Sequence, residues 1–192
     1  YFPGMKPYGA CRMCVVSTEA GGRKGIQASC TTPVMADMIV ETNTDEVQDL
    51  RRGITDLLMS EHPHGCLTCH RAELCGPQDI CQRHVGVTDR CTICPKNERC
   101  ELKDTVRFMK LDMTSSLNYH RRDLPIHTDD PFYDRDYNLC IVCARCVRAC
   151  DEVRGDTALS LVSRSGVALV GTSHGTSLLE SGCEFCGSCI DA

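Results

Sequence analysis

The sequence predicts a loop-rich α+β fold that depends on bound metal more than on a large hydrophobic core. Seventeen of its 192 residues are cysteine, tryptophan is absent, and there are only four phenylalanines and five tyrosines. A chain this rich in cysteine is either a disulfide scaffold or a metal-binding protein. The odd cysteine count, the length and the recurrent C-x2-C spacing favour metal binding.

Strand signals lie near the N-terminus. Residues 15–18 and 26–29 are strand-like and flank a glycine-rich stretch at residues 21–25, which predicts a β-hairpin. Residues 38–42 are a further candidate strand.

A helix is expected next, beginning near Asn43 or Thr44 with acidic residues in its first turn. It should end by His62, because Pro63 disfavours helical geometry in the residue before it. The apolar residues with helical spacing are Val47, Leu50, Ile54, Leu57 and Leu58.

The rest of the chain carries weaker signals. Residues 62–107 are predicted as short loops and turns, and the polar residues 112–136 as an extended arm or linker. A helix is expected at residues 147–153, followed by two strands within residues 158–171 that turn at Ser165-Gly166.

The strongest motif is C-x2-C-x2-C-x3-C followed by C-x2-C-x2-C near the C-terminus. In such ferredoxin-type runs three thiolates bind one [4Fe–4S] cluster, and the fourth cysteine ligates the other cluster of the pair. We therefore predict one cluster at Cys140, Cys143 and Cys146, and a second at Cys150, Cys183, Cys186 and Cys189.

A second motif, H-x3-C-x2-C-x5-C, predicts a [4Fe–4S] cluster at His62, Cys66, Cys69 and Cys75. Taken by itself it also suits a zinc ion held by three cysteines and one histidine. His64 and His70 are rival ligands, and we interpret both as surface residues.

A third motif repeats the spacing of Cys66, Cys69 and Cys75 further along the chain, which suggests a duplicated cluster-binding unit. Zinc remains an alternative here, because four cysteines also meet its tetrahedral demand. The predicted [4Fe–4S] ligands are Cys81, Cys91, Cys94 and Cys100.

Cys11, Cys14 and Cys30 have the C-x2-C pair and remote cysteine of a [2Fe–2S] loop. The alternative is ordinary buried thiols beside a chance pair. One [2Fe–2S] and four [4Fe–4S] clusters need about twenty ligands in all. Seventeen cysteines and His62 leave two to be supplied. We expect cysteines directly before Tyr1 and directly after Ala192, in a longer polypeptide.

Other functions find little support in the sequence. There is no phosphate-binding or nucleophile motif, no basic tract typical of nucleic-acid binding, and no apolar run of about 18 residues that could insert into a membrane. The formal charge is −5. Because neither a signal peptide nor a transmembrane segment is recognisable, the chain is expected to be cytoplasmic. The motifs predict electron transfer. No substrate site is visible in the sequence, so the motifs do not indicate whether the chain is itself catalytic.

The motifs in this order resemble the N-terminal iron–sulfur region of one protein family. The segment GACRMCVV from Gly9 to Val16 is similar to its [2Fe–2S] loop, and MSEHPHGCLTCHRAELC from Met59 to Cys75 to its histidine-ligated cluster motif. The family comprises the large iron–sulfur subunit of complex I (an NADH dehydrogenase), [FeFe]-hydrogenase catalytic subunits and NAD-linked formate dehydrogenase catalytic subunits.

The resemblance implies three domains. They are a [2Fe–2S] ferredoxin-like β-grasp domain (residues 1–45), a small His-Cys cluster domain with the additional four-cysteine site (46–110), and a linker with a two-cluster bacterial-ferredoxin-like domain (111–192). Both ligand sets of the last domain are present, which favours the hydrogenase and formate dehydrogenase members. The set from Cys81 to Cys100 departs from the common family pattern.

The expected function is electron transfer within a multi-subunit NAD(H)-linked oxidoreductase. The implied partners are a flavin/NAD(H)-binding iron–sulfur subunit and other redox subunits. The electrons would reach a catalytic site such as a molybdenum or tungsten pterin centre for formate. The alternatives are an [FeFe]-hydrogenase module, a stand-alone adapter in a bifurcating complex, and a zinc-stabilised interaction module.

Overall fold

A computed structural model of the chain describes most of the sequence. It covers residues 2–81, 89–111, 117, 119, 121–163, 167–172 and 175–192.

The described residues form two compact units. The central unit comprises Arg12–Ser29 and Pro33–Arg121, and the terminal unit comprises Tyr1–Cys11, Cys30–Thr32 and Arg122–Ala192. None of the helices in the described ranges has the length and apolar character needed to cross a membrane.

The central unit begins with an antiparallel sheet of order β2-β1-β3. Strand β1 (Val15–Ala20) pairs along its length with β2 (Arg23–Ala28) and at one end with β3 (Ile39–Glu41). Gly21 and Gly22 join β1 to β2 with φ values of 57° and 75°, the positive pair that a two-residue hairpin turn requires. The predicted hairpin and third strand are confirmed.

Helix α1 (Asp45–Ser60) confirms the predicted helix. The side chain of Thr44 caps it by accepting a hydrogen bond from the Val47 N–H at 3.2 Å. The buried side of α1 carries Val47, Thr55 and Met59. Leu50 and Leu57, although they share the predicted apolar spacing, are exposed, so the spacing alone misjudged which side faces the core.

Helix α2 (Glu101–Phe108) corrects the prediction of loops throughout residues 62–107. A helix of eight residues gains little from its own hydrogen bonds and depends on packing. Val106 supplies that packing, because it is fully buried in a small core with Met59 and Leu67. The partners lie more than 35 positions away in the chain, so local sequence patterns could not indicate the helix.

The terminal unit alternates short helical turns with a two-stranded sheet. Helix α3 (Arg145–Arg148) continues into a π-helical turn (Ala149–Arg154), where a regular helix was predicted. Strands β4 (Leu159–Val162) and β5 (Leu169–Thr172) confirm the predicted strand pair, whereas the predicted turn at Ser165-Gly166 lies outside the described residues.

Helix α4 (Ser188–Asp191) follows later in the terminal unit. The core of this unit is small and includes a cysteine. Its buried members are Cys150, Ala158, Leu159, Val170 and Leu178.

Residues 122–136 belong to the terminal unit, which corrects their prediction as part of an extended arm or linker. Asn138 is fully buried, donates a hydrogen bond to the Leu124 carbonyl and accepts one from the Leu124 N–H, both at 2.9 Å. Asp130 accepts hydrogen bonds from Arg135 at 3.0 Å and from the Leu178 N–H at 2.7 Å. Polar side chains therefore order a segment whose composition suggests a linker.

Removing the buried carboxylate of Asp130 should destabilise the terminal unit. Its side chain is 0% exposed and that of Arg135 only 11%, so Asp130→Ala leaves a nearly buried guanidinium and the Leu178 N–H without their partner. We expect a loss of about 3–5 kcal/mol in the free energy of unfolding, measured by anaerobic urea denaturation.

Glu41→Ala is the matched control for that measurement. It breaks the exposed pair between Lys24 and Glu41, which should cost less than about 1 kcal/mol. Equal losses in the two variants would contradict the role assigned to Asp130.

Candidate metal centres

All seventeen cysteines lie in the described part of the chain, and none of them forms a disulfide. They are therefore present as thiols, and sixteen of the seventeen side chains are half-buried or exposed, the exception being Cys150. Loops and helix ends carry nearly all of them. Such thiols can lose their protons to become metal ligands.

The two ferredoxin-type runs of the terminal unit share one backbone conformation, 43 positions apart. Val142 and Ala144 have φ values of 55° and 60°, and the matching residues Phe185 and Gly187 have 52° and 80°. Positive φ is costly for a β-branched residue such as Val142. Its presence in both runs indicates that the loops share a shape that serves the cysteines.

Each of these loops directs a backbone N–H at a sulfur. The Val142 N–H donates to Cys140 Sγ at 3.3 Å, and the Phe185 N–H donates to Cys183 Sγ at the same distance. Hydrogen bonds of this kind stabilise a thiolate and tune the reduction potential of a bound iron–sulfur cluster. The sequence reveals the cysteines but not these donors.

Cys150 lies in the small core against which Cys183 and Cys189 of the second run pack, together with Cys140 and Cys146 of the first. Burial raises the pKa of Cys189, and the neighbouring charges of Cys183, Cys186 and Cys150 raise it further. The structure thus brings Cys150 together with the three cysteines that the ferredoxin pattern assigns to it.

The first run groups Cys140, Cys143 and Cys146. Burial raises the pKa of Cys146 to about 12, and the charges of Cys143 and Cys140 add to the effect. Several thiolates would repel one another in this half-buried space unless a metal neutralised them.

The central unit contains a second structural repeat, 25 positions apart. We call Cys66–Cys75 the first cysteine repeat and Cys91–Cys100 the second. In each, three backbone N–H groups donate to the carbonyl three residues earlier. The donors are Cys69 (3.1 Å), Ala72 (3.2 Å) and Leu74 (2.9 Å) in the first repeat, and Cys94, Asn97 and Arg99 (3.0 Å each) in the second.

The equivalent backbone turns confirm the duplication that the spacing suggested. Helix α2 begins directly after the second repeat. There Cys100 Sγ accepts the Lys103 N–H at 3.4 Å, so this sulfur caps the helix.

Residues of both repeats line one small cavity of about 30 Å³. The first repeat contributes Cys66, Cys69 and Cys75 to its wall, the second contributes Cys91, and Cys81 also lines it. A single zinc ion would hold its sulfurs about 3.8 Å apart, given Zn–S bonds of about 2.3 Å. Within the described residues no three potential ligands converge on one ion. The described positions of these cysteines thus differ from the close tetrahedral arrangement that a single zinc ion requires.

Cys66 and Cys91 both contribute to the wall of this cavity. The pKa of Cys91 is raised, first by its interaction with Cys66, then by burial and by the charges of Cys100 and Cys94. Thr92 strengthens the junction, because its hydroxyl donates to the Cys75 carbonyl at 2.9 Å. The two repeats are thus in direct contact.

Arg90 places a positive charge in the wall of this cavity. Its guanidinium donates to the carbonyl oxygens of Asp79 and, at 2.8 Å, of Pro77. The side chain is therefore fixed beside the cysteines. Its role was missed at the sequence level, since a single arginine among loops carries no signal.

His62 is not part of the cavity wall. Burial lowers its pKa, although a hydrogen bond to the Pro63 carbonyl, 2.9 Å from Nδ1, opposes that effect. A neutral imidazole held through Nδ1 keeps Nε2 available as a ligand, the usual arrangement of metal-binding histidines. His64 is half-buried against Tyr119, which corrects its interpretation as a surface residue, and His70 is exposed.

The predicted [2Fe–2S] ligands are divided between the two units. The Ser29 N–H donates to the Cys14 carbonyl at 3.1 Å, and Cys30 is the next residue. Cys14 belongs to the central unit, whereas Cys11 and Cys30 belong to the terminal unit.

Comparisons with known proteins agree with these motifs. Residues 3–45 match the family described as a 2Fe-2S iron-sulfur cluster binding domain. Residues 51–90 match the NADH-ubiquinone oxidoreductase-G iron-sulfur binding region. Relatives include the NADP-reducing hydrogenase subunit HndD of Solidesulfovibrio fructosivorans, 30% identical over 94% of this chain. A subunit of an NADH-quinone oxidoreductase of Rhizobium meliloti is 30% identical over 100% of it. Along nearly its whole length the chain is therefore similar to subunits of an NADP-reducing hydrogenase and of NADH-quinone oxidoreductases, and it carries the two iron–sulfur binding regions named above.

A solved structure contains a chain of similar fold. A chain in the crystal structure of an NAD+-reducing [NiFe]-hydrogenase in the H2-reduced state has a TM-score of 0.66 and 26% identity. The match covers 90% of our chain and 61% of that one. Our chain spans 26% of the hydrogenase subunit HndD and 19% of the Rhizobium meliloti protein. It therefore corresponds to a minor part of these longer proteins.

Arg90 should raise the reduction potential of a cluster bound by the cysteines of this cavity wall. A nearby cation stabilises the reduced, more negative state of a cluster. Arg90→Gln should therefore lower the midpoint potential measured by electron paramagnetic resonance (EPR)-monitored titration, and Arg90→Lys, which keeps the charge, should lower it less.

Arg99→Gln is the control for Arg90, since Arg99 is exposed and lies outside the cavity wall. We expect it to leave the potential unchanged. Equal shifts in Arg90→Gln and Arg99→Gln would contradict a local effect of Arg90.

Proposed function

We propose that this chain is an iron–sulfur electron-transfer module of a multi-subunit NAD(H)-linked oxidoreductase. The observation that carries the proposal is the duplicated geometry of the cysteine loops. Each ferredoxin-type loop directs a backbone N–H at its first sulfur, and each cysteine repeat of the central unit uses the same backbone turns. Loops of this chemistry suit iron–sulfur clusters, whose properties depend on hydrogen bonds to sulfur.

The proposed centres are one [2Fe–2S] and four [4Fe–4S] clusters. The [2Fe–2S] cluster would be held by Cys11, Cys14 and Cys30. The [4Fe–4S] clusters would be held by His62, Cys66, Cys69 and Cys75; by Cys81, Cys91, Cys94 and Cys100; by Cys140, Cys143 and Cys146; and by Cys150, Cys183, Cys186 and Cys189. The proximity of Cys150 to Cys183 and Cys189 supports the last set.

The protein's own groups hold and tune these centres. When bound, the clusters would each take up and release a single electron. The Val142, Phe185 and Lys103 N–H groups stabilise negative charge on the sulfurs that they contact, which favours the reduced state. Burial of the thiols limits the access of water and opposes the accumulation of negative charge. The balance between hydrogen bonding to sulfur and burial would set the reduction potential of each cluster.

The electrons would pass between a flavin/NAD(H)-binding iron–sulfur subunit and a catalytic site elsewhere in the assembly. Relatives named as an NADP-reducing hydrogenase subunit and an NADH-quinone oxidoreductase subunit support a nicotinamide-linked chain of carriers. So does the NADPH-Fe(3+) oxidoreductase subunit alpha of Geobacter sulfurreducens, which is 28% identical over 98% of this chain. A hydrogen-converting site and a molybdenum or tungsten pterin site for formate are both compatible with such a module, and a cytoplasmic location suits either.

Metal analysis of the full-length protein tests the cluster content. After anaerobic purification we expect about 18 iron atoms per chain in this region, with a matching amount of sulfide, from one [2Fe–2S] and four [4Fe–4S] clusters. Fewer than about 14 iron atoms accompanied by stoichiometric zinc would contradict the five-cluster proposal.

A substitution at His62 tests its role as a ligand. His62→Cys replaces a neutral imidazole with a thiolate, so the cluster should remain assembled but titrate at a lower potential. His70→Cys is the control, because His70 is exposed and is not assigned to a cluster. An unchanged redox titration in His62→Cys would show that His62 is not the ligand.

A further inference from the structure

We propose that the two cysteine repeats hold their clusters as neighbours in one paired centre, with Cys66 and Cys91 at the contact. This inference rests on the proposed function, because it takes both repeats to bind iron–sulfur clusters. It adds that the two clusters influence each other's charge and exchange electrons directly.

The first argument is the contact between equivalent residues. Cys66 and Cys91 are the first cysteines of their repeats, 25 positions apart, and both lie in the wall of the same small cavity. Each belongs to a different proposed ligand set. Two clusters that use these sulfurs would therefore lie side by side.

The second argument is the shared cavity. Its wall contains three cysteines of the first repeat together with Cys81 and Cys91, which belong to the other proposed ligand set. Two separate sites would be expected to have separate walls. The wall instead places Cys81 and Cys91 of one ligand set beside three cysteines of the other.

The third argument is the set of polar contacts that fixes one repeat against the other. Thr92 donates to the Cys75 carbonyl at 2.9 Å on the cavity side. Away from that contact, Glu73 of the first repeat pairs with Lys103 of α2 at 3.6 Å and also with Arg107. Lys103 is only 8% exposed at its side chain and donates in turn to the Asn97 carbonyl of the second repeat at 2.7 Å. Hydrogen bonds and ion pairs thus stabilise the contact between the two repeats at more than one place.

Close placement has an electrostatic consequence. Like charges at short separation raise each other's energy most where water is partly excluded. An electron added on one side of the Cys66–Cys91 contact should make reduction on the other side harder. Arg90, in the same wall, offsets part of this repulsion.

The contact would also allow a single electron to move between the two clusters. The donor cluster is oxidised by one electron and the acceptor is reduced by one, with no proton transferred and no covalent bond formed or broken. The electron originates from a reduced flavin on the partner subunit of the proposed function, which releases its electrons one at a time.

Electron paramagnetic resonance of the fully reduced, full-length protein tests the pairing. Two reduced clusters in contact should give split or broadened signals in place of the sum of two simple ones. Cys69→Ala and Cys94→Ala each remove a ligand from one repeat only, so each should abolish the splitting. In each variant the remaining cluster should titrate at a higher potential than in the wild type.

Two further measurements keep the test decisive if a variant fails to fold. Cys143→Ala alters a cluster of the terminal unit and should leave intact the part of the splitting that Cys69→Ala and Cys94→Ala abolish. In the wild type alone, the splitting should appear during a redox titration only as the second cluster of the pair becomes reduced. A wild-type spectrum equal to the sum of independent signals, or loss of the splitting in Cys143→Ala, would overturn the pairing.

Iron content separates failure of this inference from failure of the proposed function. Cys69→Ala and Cys94→Ala should each lose about four iron atoms relative to the wild type. If both losses occur without any splitting in the wild type, the clusters exist but are not paired. If neither variant loses iron, the repeats do not bind clusters and the proposed function fails for the central unit.

Discussion

An electrostatic constraint underlies the structure: many cysteine sulfurs lie close together and half-buried, where the negatively charged thiolate form is unfavourable. Burial and mutual repulsion both disfavour the charged form, as the raised pKa values of Cys91, Cys146 and Cys189 show. Hydrogen bonds from backbone N–H groups stabilise the negative charge on some of these sulfurs only. A metal ion or cluster stabilises the remaining thiolates, because it binds them and supplies positive charge. Metal binding and folding should therefore be coupled in this chain.

The small hydrophobic cores lead to the same conclusion. One core is centred on Met59, Leu67 and Val106, and the other includes a predicted ligand, Cys150. Cysteines are among the side chains that pack against both cores. Buried polar contacts such as that between Asp130 and Arg135 supply local order that apolar burial cannot provide. The site and the scaffold are thus largely the same set of residues.

Duplication explains how one chain can offer so many centres. The two ferredoxin-type runs share positive φ values and N–H donation to sulfur, and the two cysteine repeats share a set of backbone hydrogen bonds. Because a short loop of defined cysteine spacing carries most of its own geometry, it can be repeated without a new scaffold. What differs between copies is the surroundings, such as Arg90 and the Cys66–Cys91 contact. Those surroundings can give similar loops different potentials.

The sequence by itself determined the features that depend on short-range spacing. The hairpin at Gly21-Gly22, the helix capped by Thr44 and the grouping of cysteines within each loop all follow from residues that are close in the chain. The tertiary structure alone decided helix α2, the ordering of residues 122–136, the position of Arg90 and the meeting of Cys66 with Cys91. These features rest on contacts between residues distant in sequence, such as Val106 with Met59 and Asp130 with Leu178. Local patterns determine conformation through sterics and backbone hydrogen bonds, whereas only packing decides which distant groups share a space.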